Sequence, residues 1–252
     1  MLNIVKLKKE LSYLEYNNRH ISLIFKNHVT STNDYLRYEY VKDICPVIIS
    51  TYSQRASRGR KGRKWKSLNQ QSISFSFCIC LDVEKFDMRF LSFISCVSLL
   101  QCIQEQDNRN FKIKWPNDII INNQKVSGIL IESYSIKKKV YLSIGIGINI
   151  NLSMSKNEGY SRSNIKSDVD EVQLITSYCK KFLNNMINKR DSEIIQIYND
   201  NLFGYQSKVE IISDVEKYEG VLLGINNKGQ LQLKLNNATK YIEDIDSSLR
   251  VL

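Results

Sequence analysis

From position 46 onward the chain alternates between two hydrophobic rhythms. PVIISTYS (46–53) and SISFSFCICL (72–81) either run β-branched or place an apolar residue at every second position, which predicts two strands. FDMRFLSFISCVSLLQCIQEQ (86–106) instead repeats its apolar residues at helical spacing and over helical length, so a long core helix is expected there. FKIKWPND then returns to a period of two, and KVSGILIESYS and KKVYLSIGIGINI continue the β-rich pattern, with Asn122 and Asn123 turning the chain between strands. VDEVQLITSYCKKFLNNMINK and SEIIQIYNDNLF read as helices. Upstream, STNDYLRYEYV opens with Ser31 or Thr32 as an N-cap and sets Tyr35, Leu36 and Tyr40 on one helical face.

From about Gln206 the rhythm changes. SKVEII, EKYEGVLLGI, GQLQLKL and TKYIEDI are short strand patterns separated by turn residues, the signature of a small all-β barrel or sandwich. A boundary therefore falls near 203–207, between a mixed α/β unit and a β unit. The polar, aperiodic SMSKNEGYSRSNIKS (153–167) reads as a surface loop of the first unit. No tandem repeat is visible.

Composition narrows the function classes. The chain has 252 residues, enough to bury a real core in one domain or two, and no apolar run approaches the roughly 18 residues that span a bilayer. The formal charge of +10 makes nucleic acid the first partner to consider and a polyanionic small molecule the second. Alanine occurs only at Ala56 and Ala238 while Lys, Asn and Ile abound, so compositional bias accounts for some of this charge. It does not account for clustered arginines. Six cysteines form no CxxC pair and only His20 and His28 are present, which points away from a zinc site or a disulfide framework and toward reduced thiols. The N-terminal twenty residues lack a signal-peptide core and cleavage site, although they are basic and amphipathic; the expected compartment is the cytoplasm.

The clustered arginines lie in SRGRKGRKWKS (57–67). Glycines at 59 and 62 permit positive φ and close backbone approach, and alternating arginines present planar forks to carboxylate or phosphate oxygens. A small-anion cradle, a solvated basic turn and a nucleic-acid contact all fit this spacing. Trp65 beside the arginines favours a ligand with a base to stack. Neither GxxxxGK[ST] nor GxGxxG followed by a helix is present, so phosphates would not be held by a P-loop or a dinucleotide fold.

Two further stretches add to this loop. In KIKWPNDIIINNQKVSGILIES (112–133), Pro116 removes a ladder donor and marks a strand end, and Lys114 and Lys125 flank the polar kink at Asn117 and Asp118. A lysine so placed can neutralise charge developing on an acyl or phosphoryl oxygen. In IGIGIN (144–149), Gly145 and Gly147 leave one strand face bare, either for a flat ligand or for close packing of another element, with Asn149 offering an amide at the rim.

Together, STNDYL, SRGRKGRKW, KWPNDIIINNQKVSGIL and IGIGIN, in that order, make the chain resemble the biotin protein ligases from about residue 22 to its end; the terminal SSLR matches the close of that family's small β-domain. The resemblance implies an α+β fold: a mixed-sheet, class II synthetase-like catalytic domain over 1–204, then an SH3-like β-barrel over 205–252. It implies that biotin and ATP, with Mg²⁺, give biotinyl-5′-AMP and pyrophosphate, after which a lysine of a biotin carboxyl carrier protein displaces AMP. The first step brings two anions together, so charge neutralisation and positioning are the main tasks.

Carried over by position, Arg60 and Lys125 would be catalytic, touching the biotin carboxylate and the α-phosphate. Ser31, Thr32, Asn33, Gln54, Arg58 and Gly128 would line the biotin pocket together with Arg60 and Lys125. Arg63, Trp65, Lys114, Asn117 and Asn149 would join Arg60 and Lys125 around the nucleotide, with Trp65 covering the adenine. Asp118 is the candidate for the acceptor-lysine contact or a metal; the metal ligands are otherwise unassigned. Two departures carry expectations of their own. Ser57 stands where the family usually has glycine, so a positive φ there would add about 1 kcal/mol of strain. Only about twenty residues precede the catalytic pattern, too few for the winged helix-turn-helix of repressor relatives, so neither specific DNA binding nor membrane association is expected, and a homodimer is allowed. The competing readings are a nucleic-acid-binding module built on the basic loop, which leaves KWPND and the glycine strand unexplained, and a lipoate-type ligase, whose arginine-glycine motif differs.

Overall fold

The computed structural model describes residues 2–38, 44–65, 71–81, 90–136, 139–150, 162–213, 216–236, 238–243 and 247–252. Among these, two sheets dominate, beside a two-stranded hairpin of β1 (Glu15–Tyr16) and β2 (Arg19–His20). The larger has seven strands in the order β3 (Ser22–Val29), β4 (Val47–Gln54), β5 (Ser72–Leu81), β9 (Lys139–Asn149), β8 (Gln124–Ile136), β7 (Asp118–Ile121) and β6 (Lys112–Lys114). Only the β3–β4 pair is parallel; the others are antiparallel, so the sheet is mixed.

The period-two pattern decides what each face of this sheet does. In β5, Ile73, Phe75, Phe77 and Ile79 join the main core cluster, while Ser74, Ser76 and Cys78 fall on the opposite face. Its neighbour β9 repeats the division: Leu142, Ile144, Ile146 and Ile148 enter the core, and Ser143, Gly145, Gly147 and Asn149 face the other way. Alternation along a strand thus separates a greasy face from a small, polar one.

Helices cover the greasy face. α3 (Phe90–Gln106) is buried nearly all round, because it lies between the sheet and α4 (Glu171–Asn188), with α5 (Asp191–Asp200) beside it. The helical pattern expected from residue 86 has its first four positions outside the described residues, as do Tyr40 and most of the 153–167 loop. Buried polar groups between α3 and α4 are paired, as with Ser95 Oγ and Tyr178 Oη at 2.8 Å. An N-terminal helix, α1 (Ile4–Leu11), capped by Asn3, buries Leu7 and Leu11 against α4. The small face of the sheet carries α2 (Thr32–Tyr38), whose Leu36 packs on Val47, Ile49 and Cys78.

The second sheet is antiparallel, five strands in the order β13 (Thr239–Ile242), β12 (Leu231–Lys234), β11 (Lys217–Ile225), β10 (Lys208–Ile212) and β14 (Ser248–Val251). It docks on α5. The Asn199 side chain donates to Ile225 O at 2.9 Å and accepts from Ile225 N–H at 2.8 Å, so an amide takes the place of a further strand.

Candidate functional site

Every candidate side chain except Asn149 borders one cleft of about 730 Å³ on the small face of the large sheet. One end is neutral and polar. The Thr32 N–H and hydroxyl reach Gln54 Oε1 at 2.8 and 3.2 Å, joining the start of α2 to the end of β4, and Ser31 caps the helix through Asp34 N–H. Asn33 lies deeper. Its Nδ2 donates to Leu130 O and to Glu132 Oε2 (3.1 and 2.7 Å), and its Oδ1 is met by Ser76 and Ser143 hydroxyls at 2.7 and 3.0 Å. The amide is fully used by the protein. A Cβ on Gly145 would sit 2.7 Å from Asn33 Oδ1, so that glycine is the seat of Asn33.

The other end is basic. The loop between β4 and β5 forms a miniature hairpin: Arg58 bridges to Lys64, Gly59 N–H donates to Arg63 O at 2.7 Å, and Arg60–Gly62 make a single 3₁₀ turn. The left-handed residues at its tip are Lys61 (φ 54°) and Gly62 (φ 66°); Gly59 is extended. Ser57 is not among the positive-φ residues, so the strain expected of a serine there does not arise. Its hydroxyl donates to Trp65 O instead, and Trp65 N–H donates back to Ser57 O at 3.1 Å, closing the base of the hairpin.

Arg60 Nη1 lies 3.1 Å from Asn117 Oδ1, and Asn117 is in turn tied through its own amide to Ile129 O. Lys125 Nζ sits 2.6 Å from Asp118 Oδ1, across the β7–β8 pair. Lys114 borders the same region; burial lowers its pKa, reinforced by Lys125 and opposed by Asp118. Arg58 is held by two carboxylates, Asp34 and Glu132, the latter at 3.2 Å. Its pKa is raised, since these partners outweigh the burial that acts first and in the opposite direction.

The glycine strand is covered. Gly128 and Gly147 stand opposite each other in the β8–β9 register, and the Trp65 indole lies across them: a Cβ on Gly147 would fall 2.3 Å from its ring. Lys125 Nζ caps the same ring at 5.5 Å from the centroid. Close packing of a side chain from this chain therefore takes the bare face that a flat ligand could have used.

Asn149 does not reach the rim. It is fully buried, and its Nδ2 donates to Lys125 O and Ser163 O at 3.2 and 3.0 Å. A polar amide on the small face of β9 is the right group in the right strand, but the main chain of Lys125 and the 162–165 segment lie over it. Sequence reading also missed Ser76, Ser143, Asp34 and Glu132. The serines were visible as the polar half of an alternation; the carboxylates gave no local signal, since their partner Arg58 is distant along the chain. Ser247, Ser248 and Leu249 border the cleft from the far end of the sequence.

Among the described residues no helix is long and apolar enough to cross a membrane, and no cluster of three His, Cys, Asp or Glu could hold a metal ion. Residues 27–149 match the biotin/lipoate A/B protein ligase family. The bifunctional ligase/repressor BirA of Bacillus subtilis is 26% identical over 240 residues, covering 90% of this chain and 74% of that protein. BirA of Escherichia coli is 32% identical over 108 residues, 41% of this chain and 32% of that one. Among solved structures, biotin protein ligase from Aquifex aeolicus in complex with biotin and ATP superposes with a TM-score of 0.78 at 25% identity, covering 91% of this chain and 99% of that chain.

Proposed function

We propose, from the premise that the chain belongs to the biotin/lipoate A/B protein ligase family, that it is an ATP-dependent biotin protein ligase acting on a biotin carboxyl carrier protein. The observation that carries this reading is the polarity of the cleft: uncharged hydrogen-bonding groups at Ser31, Thr32 and Gln54, then Arg60, Arg63, Lys114 and Lys125 beyond them. Such a cleft suits a substrate with a neutral, hydrogen-bonding ring at one end and an anion at the other.

In the first step a biotin carboxylate oxygen attacks the α-phosphorus of ATP, forming the acyl–phosphate bond as pyrophosphate leaves with the electrons of the broken P–O bond. Arg60 and Lys125 lower the repulsion between the two anions and hold the mixed anhydride. In the second step the carrier lysine amine attacks the acyl carbon, an amide forms, the nitrogen gives up a proton and AMP departs. Asp118, which pairs with the Lys125 ammonium at 2.6 Å, is the candidate to receive that acceptor lysine in this reading. Asn117 orients Arg60, and Trp65 is the aromatic face offered to the nucleotide. Asp118 is the one carboxylate bordering the cleft among the described residues, which fits a Mg²⁺ held chiefly by ATP phosphates and a single protein oxygen. The ion would add to the neutralisation of phosphate charge.

Biotin-dependent exchange of labelled pyrophosphate into ATP tests the reading. Exchange should require biotin and fall roughly 10²–10³-fold in Lys125→Ala and in Arg60→Ala, the usual cost of removing a preorganised electrostatic donor. Exchange driven better by lipoate than by biotin, or unaffected by both substitutions, would reject it.

A further inference from the structure

Arg58, in the basic loop, is held by two carboxylates. Asp34, in the first turn of α2, and Glu132, on β8, both grip its guanidinium. Glu132 also accepts from Asn33 Nδ2 at 2.7 Å, and Asn33 is locked over Gly145 by the Ser76 and Ser143 hydroxyls. A continuous path of polar contacts thus runs from the centre of the large sheet, through Asn33 and Glu132, to Arg58. Arg58 in turn bridges to Lys64 across the hairpin, two residues before the 3₁₀ turn of Arg60 to Gly62.

We infer that Glu132, seconded by Asp34, is a positioning residue that ties the basic loop to the sheet through Arg58, so that Arg60 is aimed before substrate arrives. Two carboxylates on one guanidinium leave this corner of the cleft with no spare positive charge. Arg58 is therefore a tether rather than an anion contact. The half-buried setting matters: the Glu132 and Asp34 side chains are 28% and 24% exposed, which shields the contacts from solvent better than an ordinary surface pair. A planar fork that meets one carboxylate with two nitrogens also fixes direction as well as distance.

The inference rests in part on the ligase reading, so its test combines a substrate-free measurement with a kinetic one. Limited trypsinolysis of the ligand-free protein reports whether the loop opens, because its tip carries Arg60, Lys61, Arg63 and Lys64. In Glu132→Gln, cleavage within 58–64 should accelerate roughly tenfold while the melting temperature stays near wild type, because local opening is separable from global unfolding. If the competent loop population falls tenfold, the biotin KM in pyrophosphate exchange rises about tenfold with kcat little changed. Adding Glu132→Gln to Arg58→Gln should then cost almost nothing more, since the same tether is already cut.

Unchanged cleavage, a fall in kcat at constant KM, or full additivity of the two substitutions would overturn the inference. Should Glu132→Gln lower the melting temperature by several degrees, Asp34→Asn, in the first turn of α2 and outside the Asn33 network, takes its place with the same expected acceleration. Absence of exchange in the wild type would count against the ligase reading, and the cleavage result would still decide the tether.

Discussion

Glycine at 147 is the residue on which the seat of the Trp65 indole depends. A methyl there would meet Trp65 Cε2, Cζ2 and Nε1 at 2.3, 2.5 and 2.6 Å, so Gly147→Ala must lift the indole from the sheet or bend the strand. Overpacking of this kind costs roughly 1–3 kcal/mol. The expected outcome is a red-shifted tryptophan emission with a raised ATP KM, while Trp115, buried on the other side of the kink, keeps its own contribution unchanged; an unshifted spectrum would show that the indole does not rest on Gly147. Much of the cleft's polar lining is legible at this scale, because it comes in short contiguous runs: Arg60 and Arg63 in one loop, Lys114, Asn117, Asp118 and Lys125 around one kink. What is not legible is how completely a group is occupied. Asn33 looks like a ligand contact in the sequence, yet its amide is consumed by Leu130, Glu132, Ser76 and Ser143, which come from three other strands. Nor does the sequence tell that Ser57 adopts an ordinary φ and uses its hydroxyl to close the hairpin.

Strands and helices with strong periods are read correctly from the chain, whereas elements held by their surroundings are not. β3 is an edge strand of mixed polarity, SLIFKNHV, without clean alternation, and its identity comes from parallel pairing with β4. The segment after residue 161 is a second case: it has no repeating pattern, but Ser163 N–H donates to Lys125 O at 2.9 Å and Ile165 N–H to Asn149 O at 3.0 Å. Its far end is held by Asp107, fully buried after α3, which accepts from Lys166 N–H at 3.0 Å and grips Arg109, itself bonded to Asn164 O at 3.0 Å. Burial alone would raise the Asp107 pKa, but the Arg109 guanidinium and the Lys166 and Arg109 amides outweigh it and leave the carboxyl below its ordinary value. A carboxyl whose folded pKa is depressed contributes stability that is present above the unfolded value of about 4 and is lost as pH falls through the folded one. Asp107→Asn should therefore lower stability by about 2 kcal/mol at pH 7, on the scale of hydrogen bonds to a charged group. Denaturant melts should show the gap to wild type narrowing below about pH 4. A gap that held constant with pH would assign the loss to shape rather than charge.

At the scale of the whole molecule, the question is whether the change of rhythm near residue 206 separates two independent bodies. We propose that residues 1–204 and 205–252 are distinct in pattern but share one core and one site. Val209, Ile211, Leu222 and Leu249 of the small sheet belong to the same buried cluster as Tyr198 and Leu202, which close the first unit. Ile225 finds its main-chain partners in the Asn199 amide, and Ser247, Ser248 and Leu249 border the cleft itself. Short strands read from the sequence could locate the second sheet but not this joint, because the joint is made by side chains that meet between elements and follow no local period. A chain ending at Gly204 would expose that apolar surface and leave the α5 amide unpaired, both of which are costly. It should melt well below the full chain and lose biotin-dependent pyrophosphate exchange. Leu249→Ala in the intact chain offers the gentler form of the same experiment: a fully buried leucine truncated to a methyl costs about 2–5 kcal/mol. If the two units share a core, that loss should appear as a single lowered transition. An early melt of the small sheet followed by wild-type melting of the remainder, with exchange intact, would establish two independent bodies instead.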